Sequence, residues 1–365
     1  MKIKDVIASL ETLAPLSLQE GYDNAGLITG DENVECTGIL ISLDATTAVV
    51  DEAKGKGCNL IVSHHPIVFP GLKKITGKNY VQKAVINAIK NDVALYAIHT
   101  NLDNVLNGVN GKIAELLELK NMSVLASKEN QLKKLYTFVP VADADNVRQA
   151  IFDAGGGHIG NYGECSFNAE GFGTFKGGLN TDPYAGKPGE LHRENEIKVE
   201  VVFPAWLEGR ILKSLLAAHP YEEVAYDIVR LDNRFSTIGS GVIGELKEPA
   251  AEKSFLKILK EKFKLNVIKH TGLLSKPISR VAVCGGAGSF LISSALAAGA
   301  DCFITSDIKY HEFFDANDKM VIADIGHYES EQFTINLLQE FLEQKFPTFA
   351  VLKTEVNTNP VRYFL

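Results

Sequence analysis

The chain has 365 residues, about 2.4 times a ~150-residue domain, so two or three domains and a large core are expected. Hydrophobic residues at 45% and charged residues at 22% exclude wholesale disorder. With 37 Lys and Arg against 45 Asp and Glu, the net charge of −8 removes the broad attraction to phosphate that non-specific nucleic-acid binders use, so DNA or RNA is not expected as a partner.

The opening MKIKDVIASLETL places apolar residues at helical spacing and lacks the continuous apolar stretch of a signal peptide. No later run reaches the ~18 apolar residues of a membrane span. A cytoplasmic protein without membrane contact is expected. The first third then alternates strand and helix. TGILISL (37–43), CNLIVS (58–63) and VALYAI (93–98) read as short buried strands, and 46–56, 80–90 and about 109–118 as helices. Unbroken apolar strands separated by helices indicate a parallel sheet covered on both faces.

A polar stretch, SKENQLKK (127–134), opens a different middle third. YTFVPV, ADNVRQAIFDA, CSFNAEGFGTF, IKVEVVFP, WLEGRILKSLLAAH and AYDIVRL give the order β-α-β-β-α-β of a ferredoxin-like fold. GGGHIGNYGE (155–164) and NTDPYAGKPGE (180–190) read as exposed loops. The last third resumes the first rhythm: strands SRVAVC (279–284), DCFITS (301–306), MVIADI (320–325) and FAVLKT (349–354), with helices at 289–299, about 308–316 and 328–345. The segment 57–63 also lies over 299–305, which suggests an internal duplication or a shared βαβ grammar. The expected fold is α/β: two similar three-layer half-domains, 1–128 and 247–365, form one core interrupted by an α+β insert at 129–246.

Five cysteines at 36, 58, 165, 284 and 302, with no Cys-x-x-Cys pair, argue against a disulfide framework or a thiolate zinc site. The chemistry lies instead at strand ends, where open α/β sheets place ligands. Ser63-His64-His65-Pro66 leaves one strand, His99-Thr100-Asn101-Leu102-Asp103 the next, and Gly326-His327-Tyr328-Glu329-Ser330-Glu331 a strand in the last third. Each of the last two pairs a histidine with a carboxylate four positions on, a spacing that shares a helical face. Taken singly, each carboxylate reads as well as a helix cap. Together they exceed what one tetrahedral ion needs, so two divalent ions bridged by Asp103 or Glu331 are expected. Imidazole and carboxylate suit zinc first, with iron or manganese as alternatives. Asp307 and His311 repeat the i,i+4 spacing as orienting or substrate groups, with a helix cap at Asp307 the plain alternative. Asp44 lines the same edge or caps the following helix. The Gly285–Ser289 turn matches no nucleotide fingerprint and reads as a tight turn. His219–Glu223 reads as a helix end at an oligomer contact.

GYDNAGL (21–27), SLDAT (42–46), SHHP (63–66), HTNLD (99–103), SDIKYHE (306–312) and GHYESE (326–331) together resemble the motif set of the GTP cyclohydrolase I type 2 homologue family, also called the Nif-three-like family. The middle third, with AHPYEEVAYDI (217–228), is similar to the PII/CutA-like insert of its longer bacterial members. Tyr22 stands where many members have Trp. The resemblance implies a dinuclear site on His64, His65, Asp103, His327 and Glu331, with His99 nearby, and a toroidal homohexamer. It implies a metal-dependent hydrolase that opens a nucleotide, cyclic amide or amidine, as in conversion of GTP to dihydroneopterin triphosphate and formate, with His99 or Asp307 moving protons. The alternative it leaves open is a non-catalytic metal- and ligand-binding regulatory toroid.

Overall fold

A computed structural model describes residues 1–364. Among them, fifteen strands run in chain order: β1 Gly26–Thr29, β2 Ile39–Ser42, β3 Leu60–Ser63, β4 Ala94–Ala97, β5 Lys120–Ser127, β6 Leu132–Pro140, β7 Phe167–Lys176, β8 Leu191–Pro204, β9 Tyr226–Leu231, β10 Gly239–Ala251, β11 Lys269–His270, β12 Pro277–Ala287, β13 Cys302–Ser306, β14 Val321–Asp324 and β15 Val351–Lys353. The protein is mixed α/β. One compact unit comprises Met1–Ser127 and the residues from Ser236 onward; the other is Lys128–Phe235.

The first unit holds two sheets. In one, of order β1-β4-β3-β2-β15, the β4, β3, β2 and β15 strands are parallel and β1 is an antiparallel edge. β2, β3 and β4 are buried at every position, which is why they read as unbroken apolar runs. The helices Thr47–Gly55 and Tyr80–Lys90 cover one face, packing Val49, Val50, Ala84 and Val85 onto Leu40, Ile61 and Leu95. Thr46 and Asn79 cap them, each accepting a hydrogen bond from the backbone N–H three residues on. The other sheet has the order β11-β14-β13-β12-β10-β5, with β12, β13 and β14 parallel. Phe303, Ile322 and Ala282 pack there against Leu291, Ile292 and Ala295. Burying each of the larger ones, Phe303, Ile322, Leu291 and Ile292, contributes about 1.5–3 kcal/mol.

Four expectations are corrected. FAVLKT does not stay with the last third: as β15 it pairs in parallel with β2, so the first sheet draws on both ends of the chain. The insert boundary expected at 246 lies at 235, because Gly239–Ala251 is a core strand antiparallel to both β12 and β5. The single helix expected over 328–345 is two, His327–Glu331 and Thr334–Lys345, and the segment near 308–316 is a 3-10 turn, Tyr310–Ala316.

The second unit contains β6, helix Ala144–Asp153, β7, β8, helix Glu208–Ala218 and β9. Its antiparallel sheet has the order β7-β8-β6-β9, the arrangement of a ferredoxin-like fold. No helix among the described residues is long and apolar enough to cross a membrane.

Candidate metal centre

Register brings the candidate side chains to one edge. Ser42, Ser63 and Ala97 are level across β2, β3 and β4. Asp44, His64, His65 and His99 therefore emerge together beyond the carboxyl ends of those strands, where backbone gives way to ligand sites. In the second sheet Thr305 of β13 is level with Asp324 of β14, and Asp307, His327 and Glu331 follow.

Each histidine is held by one ring nitrogen. His64, fully buried, donates its Nδ1–H to the Ile98 carbonyl at 2.9 Å. His65 Nδ1 pairs with Asp44 Oδ1 at 2.8 Å, His327 Nδ1 with Asp307 Oδ2 at 2.6 Å, and His99 Nδ1 with Asp23 Oδ1 at 2.8 Å. An imidazole anchored through Nδ1–H is oriented with its Nε2 lone pair toward the site, the arrangement that supports metal-ligating histidines.

Glu331 lies at the centre, 3% exposed. Its Oε1 is 3.7 Å from His64 Nε2, which is in turn 3.7 Å from Asp103 Oδ1. Its Oε2 is 2.9 Å from His65 Nε2 and 3.1 Å from His327 Nε2, and those two nitrogens are 3.3 Å apart. Three groups of side chains bring ligand atoms within 4.8 Å of one another: His64 with Asp103 and Glu331; His65 with His327 and Glu331; and His64 with His65 and His99. These histidines and carboxylates could hold a metal ion.

Two physical observations fit that chemistry. His64 Nε2 and Asp103 Oδ1 are buried with no hydrogen-bond partner, a costly state unless a cation meets both. Around Glu331 Oε2, two inward-facing imidazole nitrogens approach a carboxylate oxygen, and only a positive charge between them makes the contact attractive. Without a metal that charge is a proton. Burial pulls His65 down, but the Asp44 and Glu331 carboxylates outweigh it and hold the imidazole up at about 9. Burial likewise works against His327, which Asp307 and Glu331 raise to about 11. Burial would raise Glu331, yet His64, His327 and His65 hold it well below the usual carboxylate range. Burial and the neighbouring Glu331 charge push Asp103 the other way, upward.

The glycine turn after β12 makes room for this carboxylate. A Cβ on Gly286, at φ +62°, would lie 2.4 Å from Glu331 Oε1. The Gly286 N–H donates to Ser330 Oγ and the Gly285 N–H to Asn110 Oδ1, while Asn110 Nδ2 donates to the Asp103 carbonyl. Asp307 takes a left-handed backbone, φ +57°, to reach His327. It is not a cap: the following turn is closed by Glu312 accepting from the Lys309 N–H. Asp44 is not a cap either, since Thr46 fills that place; it accepts from His65 and from the Thr358 hydroxyl at 2.5 Å. His311 is exposed, edge-on to Tyr310 and stacked with Phe314, and belongs to none of the three groups.

Asp23 is the residue that sequence reasoning passed over. It sits in the GYDNAGL turn, 76 positions from His99, and also accepts from the Thr100 N–H and hydroxyl. Burial would raise its carboxyl, but the His99 and Thr100 hydrogen bonds hold it down at about 2. A cavity of about 800 Å³ opens beside the cluster, with His65, His99, Asp103, His327 and Glu331 on one wall and Tyr22, Phe69 and Phe290 among its apolar lining. Cys284 lines it too, its thiol pushed up by burial, and is in none of the three groups.

Residues 1–360 match the family model of Duf34/NIF3 (NGG1p interacting factor 3). The chain belongs to the Duf34/NIF3 family. This Duf34/NIF3 chain is 38% identical over 363 residues to the GTP cyclohydrolase 1 type 2 homolog of Halalkalibacterium halodurans, covering 98% of each. Its fold matches the crystal structure of a Bacillus cereus protein related to NIF3, with a TM-score of 0.87 at 37% identity over 100% of this chain and 99% of that one. It also matches Staphylococcus aureus protein SA1388, with a TM-score of 0.78 at 30% identity and the same coverage.

Proposed function

We propose that this family member is a dinuclear metal-dependent hydrolase whose bridging ligand is Glu331. The observation that carries the reading is the division of that carboxylate: Oε1 faces His64 and the Asp103 group, and Oε2 faces His65 and His327. His64 and Asp103 would hold one ion, His65 and His327 the other, with Glu331 shared. Zinc, iron and manganese all suit these donors. A divalent pair, when bound, supplies Lewis-acid polarisation and an acidified water.

The chain's own residues do the rest. Asp44, Asp307 and the Ile98 carbonyl fix the imidazoles through their Nδ1 atoms. Asp307 is thereby committed to His327, which leaves His99 as the group that moves protons at the substrate. Asp23 anchors its Nδ1, and its Nε2 is the atom available for transfer. Tyr22 and Phe69, ring centroids 6.3 Å apart, offer an apolar surface for a flat heterocycle in the cavity. The substrate class is a nucleotide base, cyclic amide or amidine; the name carried by the Halalkalibacterium halodurans relative supports it. Assembly as a toroidal homohexamer goes with this reading and is tested by sedimentation.

Metal counting decides the site. The wild-type chain should retain about two equivalents of zinc, Asp103→Asn about one, and Glu331→Gln almost none. A screen of the loaded chain against nucleotides and cyclic amides, read by mass spectrometry, should show turnover that both chelation and Glu331→Gln abolish. A single equivalent in the wild type, or turnover that survives both treatments, would overturn the proposal.

A further inference from the structure

The metal chemistry leaves the 128–235 unit unexplained, and that unit has a cavity of its own, about 740 Å³ in volume. Its sheet buries one face under two helices through Leu135, Val139, Val199 and Val201. Successive strand residues alternate faces, so Phe138, Glu196 and Lys198 turn to the other side and line the cavity. Gly171 is in register with Glu196, so the floor there is bare backbone. Phe175, Tyr184 and Tyr221 form aromatic walls, each neighbouring pair of rings 6.0 Å apart.

The His219-Pro220-Tyr221 motif builds this place. His219 is buried; its Nε2–H donates to the Phe138 carbonyl at 3.0 Å and its Nδ1 accepts the Tyr221 N–H at 3.1 Å. Tyr221 in turn donates its hydroxyl to Glu196 Oε1 at 2.7 Å. Glu196 is only 7% exposed, and its Oε2 accepts no hydrogen bond among the described residues. Two buried side chains, His219 and Glu196, joined through the half-buried Tyr221, thus set a carboxylate with one unspent oxygen open to the cavity among aromatic rings, the place where a cation would meet it. Lining carboxylates outnumber lysines four to two, and the Lys198 ammonium is already taken by Glu200 at 2.8 Å.

We propose that this cavity binds a small organic cation carrying a flat ring, its ammonium on Glu196 Oε2 and its ring among Phe175, Tyr184 and Tyr221. The test uses the full-length chain and three probes that share one ring: tyramine, its neutral analogue tyrosol, and the anionic 4-hydroxyphenylacetate. Tyramine should bind saturably in calorimetry, with tyrosol and the acid weaker by about tenfold or more. Glu196→Gln should weaken tyramine by a similar factor. Gly171→Phe is a second variant, because a Cβ there meets nothing within 4 Å and the ring would fill the cavity without disturbing the strand; it should block tyramine as well. Glu331→Gln should leave tyramine binding unchanged. Equal binding of the three probes, preference for the acid, or tyramine binding untouched by both Glu196→Gln and Gly171→Phe would overturn the proposal. So would loss of tyramine in Glu331→Gln, which would place the probe in the metal cavity. If Gly171→Phe instead alters the sedimenting species and spares tyramine, the face is a contact between copies and the proposal falls.

Discussion

Loading the metal centre should expel protons, and the number follows from the geometry. His65 and His327 stand on either side of Glu331 Oε2 with their Nε2 atoms 3.3 Å apart, and each is held protonated by two carboxylates, at about 9 and about 11. At about pH 7.5 both imidazoles of the metal-free chain therefore carry a proton, and a divalent ion must displace both, so roughly two protons leave per chain on loading. The upward shift of Asp103 adds a fraction more. Apparent affinity should then rise steeply between about pH 7 and 9, by up to about a hundredfold per unit, and more gently above, once His65 is already neutral. Calorimetry of zinc binding in buffers of different ionisation enthalpy counts the protons directly. The sign of the stability effect is opposite for the metal-free chain. Its two imidazoles have folded-state values above the unfolded value of about 6.5, so their contribution is complete below that pH and lost as pH rises through about 9 and then about 11. Metal-free protein should lose thermal stability from neutral to alkaline pH, whereas the loaded protein should not lose that increment. Zinc binding that releases no protons, or whose affinity is flat across this window, would refute the assignment of His65, His327 and Glu331 Oε2 to one ion.

Three further outcomes test the surrounding layer. Gly286→Ala puts a Cβ 2.4 Å from Glu331 Oε1 at a left-handed backbone position, and should cost about 1 kcal/mol or more in denaturant unfolding together with loss of bound metal. Thr358→Ala removes the hydroxyl that steadies Asp44 behind His65; metal affinity, measured by chelator competition, should fall by no more than about 10- to 100-fold, and Thr358→Ser should restore it. Asp23→Ala frees the His99 ring and should lower turnover while leaving metal content unchanged, since Asp23 reaches no member of the Glu331 groups; a loss of metal instead would move His99 into the ligand set.

The ease with which each part is read from the sequence follows the range of the forces that fix it. β2, β3, β4, β13 and β14 are buried along their whole length and announce themselves as apolar runs. The histidines and carboxylates are conspicuous because a parallel sheet delivers them at strand ends, and His327 with Glu331 meets at 3.1 Å through the i,i+4 spacing of a one-turn helix. His99 and Asp103 share that spacing, but spacing does not choose partners: His99 stands just before the short helix Thr100–Asp103, turns its Nδ1 to Asp23, and leaves Asp103 to the His64 group. β5 begins as an exposed strand and carries little apolar periodicity, so its pairing with β10 shows only once the sheet is assembled. β15 is three residues long and could equally have extended either sheet; parallel pairing with β2 decides it. The same logic separates the two carboxylates, Asp103 and Glu331, that stand level in the sequence. Both are acids next to histidines, and only the convergence of two sheets places three imidazole nitrogens about one of them, with Gly286 kept bare so that Glu331 fits. The glycine is thus as much a part of the candidate site as the histidines and carboxylates around it, yet in the chain it reads as nothing more than a turn.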